Sequence, residues 1–308
     1  MAISSKPGWR TRGLLAAAEL TSLDITIPTQ PNNPQEFIHA LEQIGSDGNA
    51  KNLPHGTATA WLAHLDMIKF VVASGLSTAL IVEDDVDWDV RLLDQVRLIS
   101  DNVRKILGAP ADNISAYGSG WDVLWFGHCG EMATSNASHI EYADETVIEP
   151  ELYAGWAGKV WAKEIAKGHR RVQQAMNPVC TFGYGITAAS AQKILSLLGR
   201  GADDAYDVAL QLQCTSGKLK CIVVNPQIMV HYEPPQDSGY ISGVHEGDGQ
   251  GSSADDQLFE SVKGTTANIM QSARCKALFN DVCLPPPREI KRRYATMERS
   301  KRYRQHRV

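Results

Sequence analysis

The sequence predicts an α/β sandwich built on a mainly parallel central sheet, and three observations carry that expectation. Short apolar runs rich in β-branched residues recur at 79–82, 121–126, 181–187 and 220–224, the pattern of strands buried on both faces. Segments with helical spacing separate them, which is the alternation that builds a sandwich of helices on a sheet. The run at 79–82 also empties into Glu83, Asp84, Asp85, Asp87 and Asp89. Ligands in open α/β sheets bind beyond the carboxyl ends of the strands.

In chain order, residues 9–23 read as a helix with Leu14, Leu15 and Ala18 on its apolar face, and 24–27 as a short strand stopped by Pro28. Residues 29–34 are rich in Pro and Asn and form a loop. From Thr57, the residues Ala60, Trp61, Leu65, Ile68 and Val72 mark a helix that closes at Gly75, since glycine tolerates the left-handed conformation just past a helix end. After Asp89, Leu92, Leu93, Val96, Val103, Ile106 and Leu107 face one way and Arg91, Arg97, Asp101 and Lys105 the other, until Gly108 and Pro110 stop the helix. Residues 132–176 lack a sustained period and read as a long excursion over the sheet. Helices are expected at 188–198 and 204–212, and strand-like sequence at 227–232. Residues 236–256 are rich in Gly, Ser and Asp, and from Arg288 the chain becomes a basic tail. We therefore divide the chain into a body over 1–283 and a tail over 284–308.

Five carboxylates within seven residues repel one another unless a cation neutralises them. Hard oxygen ligands this close suit Mg²⁺ or Mn²⁺, which also bind substrate phosphates. Asp87 or Asp89 could instead cap the next helix. That alternative leaves Glu83, Asp84 and Asp85 at the strand end unexplained.

Composition removes several classes. The net charge of −5 lacks the positive footprint a nucleic-acid binder needs to neutralise phosphates. No apolar stretch approaches the roughly 20 residues of a membrane span. The start of the chain does not read as a signal peptide, because Glu19 interrupts its apolar run. Six cysteines, none in CxxC spacing, argue against structural zinc, and Cys214 and Cys221 flank a turn-like segment that they could bridge. Two sequons, at Asn113 and Asn136, lean with the even cysteine count towards a secretory lumen. No glycine-rich phosphate fingerprint is present, so a nucleotide would be held by metal, side chains and scattered amides.

Ala79-Leu80-Ile81-Val82-Glu83-Asp84-Asp85 is preceded by Ala60-Trp61-Leu62-Ala63-His64. It is followed by Gly120-Trp121-Asp122-Val123-Leu124-Trp125 with Gly127-His128-Cys129-Gly130-Glu131, then by Pro178-Val179-Cys180-Thr181-Phe182 with Ala191-Gln192-Lys193. In this order the phrases resemble glycosyltransferase family 25, and its fungal members most, over roughly Trp9 to Phe279. The resemblance implies a GT-A-type fold and transfer of a hexose, with inversion, from a nucleotide-diphosphate sugar such as a UDP-sugar to the hydroxyl of a glycan or glycoprotein. It implies Mn²⁺ or Mg²⁺ held chiefly by Asp85, with Asp87 and a late histidine, His231, as further ligands. Glu83, Asp84 and Arg10, the last from the basic phrase Arg10-Thr11-Arg12, are implied at the donor. Asp207 is implied as the base that deprotonates the acceptor; Asp203 or Asp204 beside it could take that role, any of the three could instead be a helix cap, and Trp156 and Trp161 could stack on a sugar or belong to the core. The resemblance also implies a Golgi or secretory lumen, reached through an anchor preceding this chain. Residues 1–8 stand where family members carry their first strand, so that strand is expected to be missing. Two rivals remain: a binding module that keeps the fold without catalysis, and a metal-dependent phosphoester hydrolase using the same acids.

Overall fold

The computed structural model describes residues 1–44, 53–134, 137–242 and 255–284. The sequon at Asn136 and nearly all of the basic tail lie outside these residues. In chain order the elements are β1 (Ala2–Ile3), α1 (Trp9–Leu20), α2 (Gln35–Glu42), α3 (His55–Ser74), β2 (Thr78–Glu83), β3 (Val86–Trp88), α4 (Leu92–Ile106), β4 (Val123–Gly127), β5 (His139–Ala143), α5 (Gly158–Glu164) and β6 (His169–Gln174). They continue with β7 (Gly183–Thr187), α6 (Ala188–Leu198), α7 (Tyr206–Thr215), β8 (Cys221–Asn225), β9 (Met229–Glu233), α8 (Asp256–Ser261), β10 (Thr265–Thr266) and α9 (Ala273–Phe279).

The strands form one sheet in the order β1-β2-β7-β4-β8-β6-β5, and β9 joins β4 to β3 and β10. The sheet is mixed rather than mainly parallel. Among the described residues only β1–β2, β4–β8 and β4–β9 pair in parallel; β7 runs antiparallel to both β2 and β4, and β6 antiparallel to β8. The apolar runs hold few polar residues because both faces are covered, and that condition holds for any central strand whatever its direction. Along each strand, alternate residues enter opposite cores. Ile81, Val123, Trp125, Tyr184 and Val223 pack with Trp61, Leu65 and Ile68 of α3 and Ile194 of α6. Val82, Leu124, Phe126, Ile222 and Val224 pack with Leu14 of α1 and Leu92, Ile99 and Val103 of α4. The result is a three-layer sandwich.

The expected loss of the first strand is overturned. Ala2 and Ile3 pair in parallel with Val82 and Glu83, the Val82 amide donates to the Met1 carbonyl at 3.0 Å, and the edge of β2 is thereby covered. Two residues are too few to leave a hydrophobic pattern. Residues 24–27 form no strand; they run beside β1, where the Ala2 amide donates to the Thr26 carbonyl at 2.9 Å. The excursion after Met132 is partly regular: β5 and β6 are an antiparallel pair, joined through α5, that extends the sheet. Their polar residues, the half-buried Glu141 and the buried Arg170 and Arg171, hide the strand period. Gly75 closes α3 with φ 68°, as expected.

Every cysteine is paired, as Cys129–Cys180, Cys214–Cys221 and Cys275–Cys283. No helix among the described residues is long and apolar enough to cross a membrane.

Candidate metal centre

The site begins with a change of direction. Residues 84 and 85 form a turn that takes the chain from β2 onto β3, and β3 lies antiparallel to β9 with Val86 opposite His231. The Tyr232 amide extends this ladder to the Asp85 carbonyl at 2.9 Å. Three side chains thereby converge at the carboxyl end of β2: one carboxylate oxygen each from Glu83 and Asp85 and one ring nitrogen of His231 all lie within 4.8 Å of one another. Ligands that each sit roughly 2.1 Å from a shared cation lie at most about 4.2 Å apart, so a bound ion would draw the group slightly closer.

Asp85 is the centre of the group. It is 4% exposed; its Oδ2 lies 2.7 Å from His231 Nε2 and 3.6 Å from Arg10 Nη1. Its Oδ1 is buried and has no hydrogen-bond partner among the described residues. A buried carboxylate oxygen without a partner is costly, and a cation is one thing that satisfies it. Burial opposes ionisation of Asp85, but His231 and Arg10 outweigh it and hold its pKa below the usual carboxylate range. His231 shows the mirror image: burial would lower its pKa, and the Asp85 carboxylate raises it instead. Its ring stacks on Phe182 with centroids 4.9 Å apart and planes at 12°.

Burial and then the neighbouring Asp85 charge push Glu83 upward. Its Oε1 accepts from Thr181 Oγ1 at 3.2 Å. Behind Thr181 lies a buried polar chain: His64 Nε2 is 3.2 Å from Thr181 Oγ1, His64 Nδ1 is 3.0 Å from the Tyr184 hydroxyl, and that hydroxyl is 3.4 Å from Tyr206. Burial lowers the His64 pKa to about 3, so the ring is neutral and one nitrogen alone carries a proton. With Thr181 donating to Glu83, its oxygen accepts from His64 Nε2–H, and Nδ1 accepts from Tyr184. Every proton in the chain points towards Glu83.

The remaining sequence candidates separate clearly. Asp84 accepts from Ser4 Oγ at 2.6 Å and lies 3.7 Å from Arg10 Nη1; burial, then Asp85, raises its pKa. Arg10 joins the site from α1 and also donates to the Tyr240 hydroxyl at 3.2 Å. Asp87 does not belong to the group. Its 0%-exposed carboxylate accepts from the Trp88 and Arg274 amides at 2.8 and 3.0 Å, from Thr266 Oγ1 at 2.8 Å and from Ser272 Oγ, so it ties β3 to β10 and to the start of α9. Residues two apart on a strand share a face, but the turn at 84–85 breaks that register between Asp85 and Asp87. Asp89 is equally committed, to Arg91 and to the Gln271 amide.

Asp207 sits in the first turn of α7, where its Oδ2 accepts from the Cys180 amide at 2.6 Å. Cys180 has φ 67°, a left-handed conformation costing a non-glycine residue about 1 kcal/mol, and the bond from Asp207 and the bridge to Cys129 hold it there. Asp207 thus supports the segment that delivers Thr181. Asp203 and Asp204 are exposed. Trp161 is wholly buried, donating to the Glu131 carbonyl at 2.8 Å, and is a core residue; Trp156 is half-buried beside it.

Sequence reasoning passed over Ser4, Thr181, His64 and Arg274. Arg274 is 0% exposed behind the acidic turn and donates to the Asp84 and Arg10 carbonyls at 2.8 and 3.0 Å. Nothing in its local sequence distinguishes it from a surface arginine. A cavity of about 720 Å³ opens at the other end of the sheet, lined in part by Thr78, Asp122, Thr187, Lys193 and Lys220. Lys193 and Asp122 pair there at 2.7 Å, and no group of metal-ligating side chains gathers among its described residues. No protein-family model matches the chain, and no curated protein matches it.

Proposed function

We propose that the protein is a metal-assisted glycosyltransferase that moves a hexose from a nucleotide-diphosphate sugar to an acceptor hydroxyl on a glycan or glycoprotein. The observation that carries the reading is the convergence of Glu83, Asp85 and His231 at the carboxyl end of β2, with a buried oxygen of Asp85 left without a partner. Two carboxylate oxygens and an imidazole nitrogen, once His231 gives up the proton it shares with Asp85, suit Mn²⁺, with Mg²⁺ the poorer match because of the nitrogen. A bound cation would neutralise the charge that builds on a departing diphosphate. Arg10, 3.6–3.7 Å from Asp84 and Asp85, would place a second positive charge beside those phosphates. Asp84, fixed by Ser4, is the carboxylate offered to the donor's ribose. The GT-A assignment rests on the sequence resemblance together with this edge of an α/β sheet.

For the acceptor the proposed base is Asp207. One of its oxygens is spent on the Cys180 amide, leaving the other to take a proton from a hydroxyl within hydrogen-bond reach. The experiment is calorimetric titration of the protein with UDP-sugars, with and without Mn²⁺, followed by product analysis with sugar acceptors. Metal-dependent donor binding that Asp85→Ala abolishes supports the transferase. Release of phosphate from simple phosphoesters without an acceptor would favour hydrolysis, and failure to bind any nucleotide sugar with metal present would leave a binding module.

A further inference from the structure

The sequon Asn113-Ile114-Ser115 plays no part in the proposed function, and its surroundings are those of a modified site. It lies in the connection between α4 and β4, on the surface, with Ile114 102% exposed and Asn113 and Ser115 half-buried on either side of it. The loop is nevertheless held in one shape. Arg104 of α4 donates to the Asn113 and Ser115 carbonyls at 2.8 and 2.5 Å and to that of Pro110 at 3.0 Å. Asn113 Oδ1 accepts from the Ser115 amide at 2.9 Å, an Asx turn that puts the serine beside the asparagine side chain. Asn113 Nδ2 makes a single long contact, 3.3 Å to Ser119 Oγ. An amide nitrogen has two protons, so one remains after substitution to serve that contact.

The second observation concerns compartment. All six cysteines are joined in three bridges, and none is left as a free thiol. Bridges of this kind form and persist where thiols are oxidised, as in the lumen of the endoplasmic reticulum, and seldom in the cytosol. The lumen is also where an Asn-x-Ser/Thr tripeptide meets a glycan donor.

We propose that Asn113 is an N-glycosylation acceptor. Its Nδ2 attacks the anomeric carbon of a lipid-diphosphate-linked oligosaccharide; the C–N bond forms as the C–O bond to the diphosphate breaks, the amide gives up one proton, and the lipid diphosphate leaves. The attached glycan stands beside Ile114 at the rim of the cavity lined by Asn113, Ser115 and Gly118, on the edge of the sheet opposite Glu83 and Asp85. The modification is therefore independent of the metal centre.

The test is expression of the full chain behind a cleavable secretory leader in a eukaryotic host, followed by peptide-N-glycosidase treatment of the secreted protein in heavy-oxygen water and chymotryptic mass analysis. Chymotrypsin separates the two sequons by cutting after Tyr117 and Trp121. The expected result is conversion of Asn113 to labelled aspartate in the wild type, its loss in Asn113→Gln and Ser115→Ala, and its retention in Ser115→Thr. Should Asn113→Gln secrete poorly, the wild-type peptide and Ser115→Thr decide the matter. A secreted, disulfide-bonded chain with Asn113 unmodified, or with glycan on Asn136 alone, overturns the proposal.

Discussion

Thr181 shows how much a single hydroxyl is asked to do. It donates to Glu83 while accepting from His64, and it is the last link of a buried chain whose protons all point at the site. Groups behind a metal ligand fix its orientation and commonly change affinity by tenfold or more. Thr181→Ala is expected to weaken Mn²⁺ binding about tenfold, while Thr181→Ser, which keeps the hydroxyl, restores it. Equal affinity in all three proteins by calorimetry would remove Thr181 from the site. His64 adds a pH signature. Its folded pKa of about 3 lies below the ordinary histidine value, so the stability it contributes is present above pH 6.5 and is lost as pH falls towards 3. Glu83, 3.8 Å away, also titrates, which is why a variant comparison is required. Denaturant unfolding across that range should show the wild type losing on the order of a few kcal/mol relative to His64→Gln; parallel curves would contradict a buried, neutral His64.

Among the elements, the short ones position the site. The turn at 84–85 and the three residues of β3 set Asp85 against His231, and β1 brings Ser4 to Asp84. None of these was legible in the sequence, because a two- or three-residue strand carries no period and its pairing is decided by distant segments. The long elements were legible: β2, α3, α4 and α6 fall close to their expected places, since their apolar spacing repeats over several turns or fills a whole strand. The acidic run shows both outcomes. That Glu83 and Asp85 stand together at the strand end could be read from the sequence; that Asp87 instead clamps α9 depends on Thr266 and Ser272, some 180 residues onward. Asp87→Ala should therefore cost about 3 kcal/mol or more, by leaving buried donors without an acceptor, with Mn²⁺ stoichiometry unchanged in the protein that still folds. Loss of metal without loss of stability would return Asp87 to the ligand set. The Cys129–Cys180 bridge closes a separation of 51 residues and is expected to contribute about 4 kcal/mol through the unfolded chain. Chemical denaturation of the double alanine variant measures this.

At the scale of the whole molecule, the mixed sheet places a buried acidic group and an open cavity at opposite ends of β2. The carboxyl end of β2 gathers buried charge, with Arg10 and Arg274 offsetting Asp84 and Asp85. The other end holds the open cavity and the Asn113 loop. Strand direction was the part of the architecture that composition could not reveal, for a strand covered on both faces reads alike either way round. Glu83, Asp84 and Asp85 stand at the carboxyl end of β2, and Thr181 and His231 come to the same end beside β7 and on β9.

The most direct test is a Mn²⁺ titration of the purified protein, followed by paramagnetic resonance of the free ion. One ion bound per chain, lost in Glu83→Ala, Asp85→Ala and His231→Ala and kept in Asp87→Ala, is the predicted result. No saturable binding by the wild type, or binding indifferent to Asp85 and His231, would contradict the account.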